Sequence, residues 1–303
     1  MRHKFGEKII TNEEIEKEYD LPSGWVHEKT GKKQGHAWEN RENAPVVASI
    51  ECFEELLAKT GIDKSKIKAV FGTTNPITID EVTDEVSLTA KFATMSGFEG
   101  VEVRDCSYGC GGAAIGVKAM KEWFEGQPKD TYLVYVTQDW STKMVEDRNV
   151  KALFSDAVSV SLWSNNEDDG LYELGDVFAI ESTIPEESLG IIGGVWKMNG
   201  KEVSDQAAKV PGLVAESLGI QLSDYDIVPH QPNPKLLETM ETLNNIQLYK
   251  EVAIEHGNPT CSGSFIALER KITDKSDGEK KDILVMPFGA GGVGGFILKK
   301  KGL

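Results

Sequence analysis

No stretch of this 303-residue chain approaches the length of a membrane-spanning helix, which excludes a helical membrane protein. The opening residues, Met-Arg-His-Lys-Phe-Gly, lead into polar sequence without the apolar core of a signal peptide. Cysteine is scarce. Cys52, Cys106, Cys110 and Cys261 stand at irregular spacing and form neither a disulfide framework nor a zinc pattern, so a reducing cytoplasm is the expected location. Basic residues are outnumbered 33 to 49 by acidic ones, giving a formal net charge of −16. That balance argues against nucleic acid and anionic membrane as partners, and chiefly serves solubility. Low-complexity segments and Pro/Ser linkers are absent, and the length suffices for a sizeable core in one or two domains.

What is present is alternation. Apolar periodicity predicts helices near 46–60, 83–97, 111–125, 202–217, 233–245 and 263–272. Strands are predicted at 67–73, 101–105, 131–138, 156–163, 171–182, 225–229, 282–287 and 293–300. This is an α/β pattern in two similar halves, 1–165 and 166–303, divided at the polar run Asn165-Asn-Glu-Asp-Asp-Gly170. No clear sequence repeat survives between the halves.

Cys110 is the residue with most to say. It follows a predicted strand and a small-residue turn, and Gly111-Gly opens a helix with Ala113, Val117, Met120 and Phe124 on one apolar face. A thiol at a helix N-terminus is expected to have a lowered pKa, and flanking glycines let another backbone or a substrate approach. A buried structural cysteine would fit that spot as well; two other segments decide. His230, in Val-Pro-His-Gln-Pro-Asn, ends a short apolar strand just before a helix. Asn258, in His-Gly-Asn-Pro-Thr-Cys, sits in a small-residue loop before another. Strand–helix junctions are where open α/β sheets collect chemistry, and a Cys, a His and an Asn at three of them suit nucleophilic acyl transfer.

Asp105 followed by Cys110-Gly-Gly, then Val-Pro-His230-Gln-Pro-Asn, His-Gly-Asn258 and Pro-Phe-Gly-Ala-Gly-Gly-Val-Gly-Gly295, resembles the 3-ketoacyl-acyl-carrier-protein synthase III family of the thiolase-like superfamily. The match runs in order over nearly the whole chain. The resemblance implies a five-layered αβαβα fold built from two duplicated halves, with a Cys-His-Asn triad of Cys110, His230 and Asn258. It further implies that backbone N–H groups of Cys110 and of the final glycine loop, at Gly291 and Gly292, form an oxyanion hole. Trp25 and Arg148 match the pair that sandwiches the adenine of CoA, with Lys29 where the family usually has arginine. Ser204, Ala207, His256 and Cys261 are the expected acyl-pocket or tunnel residues. A homodimer is implied, with the 77–85 loop, carrying Asp80 and Glu81, near the partner's acyl pocket. Relative to the family, the first strand is expected to be largely missing before residue 7. His3, His27 and His36 are expected to be solvated.

The implied chemistry is acylation of Cys110 by an acyl-CoA, then decarboxylating Claisen condensation with a malonyl-type thioester, in polyketide, secondary-metabolite or fatty-acid synthesis. Acyl-CoA is the expected substrate, an acyl carrier protein is a further candidate partner, and no cofactor or metal is expected. The alternatives are acyl transfer to a non-malonyl acceptor, a hydroxymethylglutaryl-CoA-synthase-like condensation, or a silent partner subunit. Gly289-Ala-Gly-Gly-Val-Gly294 also satisfies a dinucleotide fingerprint, but only a short strand follows and no helix N-terminus is left for a pyrophosphate.

Overall fold

The structure, a computed structural model, describes residues 1–39, 42–75, 87–144, 151–182, 184, 187–192, 195–274 and 281–302. Arg148 and the 77–85 loop with Asp80 and Glu81 lie outside the described residues.

One five-stranded sheet comprises Arg2–Phe5 (β1), Ile67–Asn75 (β4), Glu102–Tyr108 (β5), Tyr132–Asp139 (β6) and Ala157–Ser164 (β7), in the order β1-β7-β6-β4-β5. Lys8–Thr11 (β2) and Gln34–Ala37 (β3) form a small antiparallel pair. The second large sheet joins Tyr172–Ile180 (β8), Asp226–Pro229 (β11), Ile283–Met286 (β12), Phe288–Gly289 (β13) and Gly292–Lys300 (β14). Of the central strands, β6 and β12 are buried at every residue and β4 at every residue but Lys68, as strands covered on both faces require.

Three apolar clusters define the layering. Cys52, Phe53 and Phe92, from the helices Ala44–Thr60 and Leu88–Met95, pack on Val70 and Val134 on one face of the first sheet. Val117, Met120, Phe265 and Leu268, from the helices Gly112–Glu125 and Gly263–Thr273, fill the space between Phe71 of one sheet and Val285 of the other. Val210, Val214, Leu237 and Met240, from outer helices, cover Leu284 and Ile297 on the far side. Helix, sheet, helix, sheet, helix gives five layers. Because β4 runs parallel to both β5 and β6, Asn75, Asp139 and the turn into Cys110 emerge at the same edge.

Several expectations need correction. The first strand is not missing: Arg2–Phe5 pairs antiparallel with β7, Arg2 opposite Val160. The helix expected at 202–217 is two, Gly200–Ala207 and Val210–Leu218, because Pro211 cannot donate to a continuing helix and starts a new one instead. Short elements escaped prediction: the helices Asn12–Glu18, Trp25–Thr30 and Glu251–His256, and the hairpin Leu189–Ile192 (β9) with Val195–Met198 (β10). Among the described residues no helix is long and apolar enough to cross a membrane.

Candidate active site

The turn between β5 and its helix is locked to the turn between β13 and β14. Gly109 (φ +70°) donates to Thr74 O at 3.1 Å, and Gly111 donates to Ala290 O at 2.9 Å. Glycine is required where the two turns interlock. A Cβ on Gly111 would lie 1.6 Å from Gly292 O, and one on Gly289 would lie 2.8 Å from the Cβ of Cys110. Gly111→Ala should therefore push the turns apart, costing about 1–3 kcal/mol in overpacking. A lowered urea midpoint and lost thioester reactivity at Cys110 are the expected outcome; a native-like midpoint would contradict this account of the lock.

Cys110 ends this turn, two residues before the helix Gly112–Glu125, and is 5% exposed. The expected lowering of its pKa does not occur. Burial pushes the thiol up to about 12, and the carboxyl of Asp139 acts the same way. The backbone N–H groups of Cys110 and Ala290 favour the thiolate but do not outweigh burial. The N–H that joins that of Cys110 at the sulfur belongs to Ala290, one residue before Gly291 (φ +80°) and the start of β14. Asp139 itself is held well above the carboxylate range by burial and by the neighbouring Asp156.

His230 directly follows β11, where its N–H donates to Met286 O at 2.8 Å. Phe288 meets the imidazole edge-on, with centroids 5.3 Å apart. Burial lowers its pKa to about 3, so the ring is neutral, and Nδ1 has no partner among the described residues. Asn258 is held from both sides. It donates to Leu153 O and accepts from Ser155 N–H, each at 2.9 Å. Its Oδ1 accepts from Thr260 N–H at 2.9 Å, which leaves Nδ2 as the side-chain donor. Thr260 closes that contact at φ +28°, a strained conformation for a β-branched residue.

Cys110, His230 and Asn258 line one cavity of about 270 Å³. Its walls are largely apolar, with Phe154, Ile184, Leu189 and Met198 among them, and Ser204 also lines it. Three expected pocket residues do not. Ala207 is buried in the outer apolar cluster beside Val210. Cys261 is buried with its thiol directed to Thr73 O and Gln138 O, 3.5 Å each. His256 belongs to another cluster: it stacks on Phe5 at 4.1 Å and bonds to His36 at 3.0 Å and to Arg270 at 2.8 Å. Burial and Arg270 lower its pKa to about 4. His36 is buried in that cluster, and His3 contacts Glu269 at 2.8 Å, so neither is a freely solvated side chain.

Lys235, at the cavity's edge, donates to Glu28 O, which brings the helix Trp25–Thr30 to the entrance. Trp25 packs with Ile15, Val26 and Ala152 on that helix's inner side, while Lys29 is exposed and 3.6 Å from Glu28. Among the described residues no group of His, Cys, Asp or Glu is placed to hold a metal ion. Sequence reasoning missed Ala290, Asp139 and Thr260. Asp139 stands at the C-terminal end of a predicted strand, a usable signal; Ala290 and Thr260 act through the backbone, which leaves none.

No protein-family model matches the chain. It is 24% identical to beta-ketoacyl-[acyl-carrier-protein] synthase III 1 of Streptomyces coelicolor, over 94% of this chain and 90% of that one. It is 27% identical to beta-ketoacyl-[acyl-carrier-protein] synthase III of Rickettsia massiliae, over 95% and 92%. Its backbone is similar to 3-oxoacyl-[acyl-carrier-protein] synthase III of Aquifex aeolicus, with TM-score 0.85, 19% identity and 98% and 97% of the chains covered. The priming beta-ketosynthase of the R1128 polyketide pathway gives TM-score 0.82 at 19% identity, over 99% and 95%. The fold is thiolase-like.

Proposed function

We propose that this ketoacyl-synthase-III-like acyltransferase accepts an acyl group from acyl-CoA on Cys110 and condenses it with a malonyl-type thioester. The observation that carries the reading is the placement of Cys110, His230 and Asn258 around one apolar cavity, with two backbone N–H groups at the sulfur. The Cys110 sulfur attacks the acyl carbonyl, the tetrahedral oxyanion forms against the N–H groups of Cys110 and Ala290, and the CoA thiol leaves. A malonyl-type thioester then enters. As carbon dioxide departs, the enolate oxygen takes hydrogen bonds from the neutral His230 ring and from Asn258 Nδ2, its carbon attacks the Cys110 thioester, and the Cys110 sulfur is expelled and takes up a proton as the 3-ketoacyl thioester is released. The apolar wall excludes water that would hydrolyse the acyl-enzyme.

Charge favours CoA over an acidic carrier protein as the first donor. The helix Pro234–Asn244 at the entrance offers Lys235, already engaged by Glu28 O, followed by Glu238 and by Glu241, which pairs with Lys250 at 2.6 Å. A net charge of −16 slows encounter with another acidic protein. With matched acyl groups at low salt, acyl-CoA should acylate Cys110 at least about tenfold faster than acyl carrier protein, a gap of about 1.4 kcal/mol. Trp25→Ala should slow the CoA reaction selectively. Faster transfer from the carrier protein, or no effect of Trp25→Ala, would overturn this choice of donor.

A further inference from the structure

Lys32 is the most anomalous charged residue in the molecule. It is 1% exposed, and its Nζ has no hydrogen-bond partner among the described residues. Its backbone is tied down: Lys32 O accepts from Asn12 Nδ2 at 3.0 Å, and its N–H donates to Thr30 Oγ1 at 3.2 Å. Two glycines make room for the side chain. A Cβ on Gly257 would lie 3.0 Å from Lys32 Cδ and 2.7 Å from Leu153 O. A Cβ on Gly35 would lie 3.1 Å from Nζ and 3.2 Å from Phe154 O. The stem thus runs under the residue that precedes Asn258, and the amine ends beside the 153–155 segment that clamps Asn258.

We propose that Lys32 is a positioning residue for Asn258, supporting the backbone of Gly257 and Asn258 only while its amine is uncharged. For catalysis this rests on the reading of Asn258 as an enolate donor. Packing alone does not call for lysine, since methionine would fill the same space without a buried unsatisfied nitrogen. An ammonium there must find acceptors, and Phe154 O, in the strand-like bridge to Asn258, is close at hand. Turning that carbonyl toward a cation loosens the clamp. Burial lowers the amine's pKa to about 7, which places this event in the physiological range.

The surrounding charges are otherwise engaged. On β3, His36 is the titratable group that senses Lys32, and its ring bonds to Gly6 O and His256. On the helix Glu251–His256, Glu255 pairs with Arg270, and His256 bonds to Arg270. Glu16, on the helix carrying Asn12, accepts from Gly24 and Val26 N–H. His27 contacts Lys32 O, and Glu28 and Lys29 pair with each other on the surface. Next to Ser155, Asp156 accepts from Trp38 N–H and from Thr142.

The test uses enzyme already acylated on Cys110, so that thiol ionisation drops out. Single-turnover condensation should rise about tenfold from pH 6 to pH 8 in the native protein, as a group of pKa near 7 requires. It should change less than about twofold in Lys32→Met, a ratio of populations near unity. Lys32→Arg, which cannot lose its charge, should be impaired at both pH values. Deuterium uptake of a peptide spanning 253–262, corrected for intrinsic exchange, should be higher at pH 6 than at pH 8 in the native protein and equal in Lys32→Met. Lys32→Met should also raise Tm, most below pH 7 and less as the pH approaches the unfolded amine's pKa. Overlapping pH profiles, with uptake indifferent to both pH and substitution, would overturn the proposal. If no condensation occurs in any variant yet uptake follows the stated pattern, the positioning role stands and the reading of Asn258 chemistry fails.

Discussion

Cys110→Ser should abolish acyl-enzyme formation from any acyl-CoA, a loss of about 10⁴-fold or more, while leaving the fold intact. Serine is nearly isosteric and the site already excludes water, so stability should change little. Intact mass after exposure to acyl-CoA reads the result directly. None of the other three cysteines can substitute. Cys52 is buried between its own helix, Ala44–Thr60, and the first sheet, Cys261 directs its thiol at two carbonyls, and Cys106 lies on β5, outside the residues that line the cavity. Accordingly Cys106→Ser should leave the adduct in place. The buried thiol, pushed up to about 12, adds a pH signature. A raised pKa keeps the thiol protonated at neutral pH, so the thiolate fraction grows about tenfold per pH unit up to that value. Alkylation of the free enzyme by iodoacetamide at Cys110 should therefore climb steadily from pH 7 to 9 without a plateau. An acyl adduct that persists in Cys110→Ser would remove Cys110 as nucleophile. A plateau in alkylation near neutrality would show that the N–H groups of Cys110 and Ala290 outweigh burial.

The features legible in the sequence are those with a local cause. Gly111-Gly ahead of an apolar helical face, a polar residue at the end of an apolar strand, and a small-residue loop before a helix each announce a junction. Those junctions are where Cys110, His230 and Asn258 stand, and the fold brings them to one cavity. Long elements were legible for the same reason: β4 and β6 carry apolar runs at 69–71 and 132–136, and the helix Gly112–Glu125 repeats its apolar face. What remained hidden depends on distance along the chain. β1 exists because Phe5 and Met1 pack against a core built mostly from residues far downstream, which four residues of sequence cannot reveal. His256 looked like site lining because it neighbours Asn258 in sequence, but Phe5, His36 and Arg270 draw its ring elsewhere. The thiol pKa was misjudged because a helix N-terminus is visible in sequence and burial is not. Nor could the sequence distinguish Ala290 from Gly291, since a backbone N–H belongs to every non-proline residue and only the turn decides which one faces the sulfur.

His230→Ala and Asn258→Ala should separate the two half-reactions. Acylation of Cys110 relies on the sulfur and on the backbone donors of Cys110 and Ala290, none of which either substitution removes. Acyl-enzyme should form within about threefold of the native rate, a difference of well under 1 kcal/mol. Condensation is another matter. Each side chain supplies one donor to the enolate oxygen, and loss of one such donor in a water-excluded site costs about 10²–10³-fold. Removing both should cost less than the product of the two, because they act on a single oxygen. Asn258→Asp should fall below Asn258→Ala, since it replaces a donor with an acceptor facing a developing negative charge. The double-sided backbone clamp supports that comparison by holding residue 258 in place whatever its side chain. The pH profile separates His230 from Lys32. With its pKa lowered to about 3, His230 is neutral throughout the working range and contributes no limb near neutrality. Any such limb should therefore survive His230→Ala in the residual activity and vanish in Lys32→Met. Rapid quench of acylated enzyme mixed with malonyl thioester gives the condensation rate, and intact mass gives the acylation rate. Equal loss of both rates in His230→Ala would place the ring in thiol activation instead, and a limb near pH 7 that disappears with His230 would reassign it from Lys32.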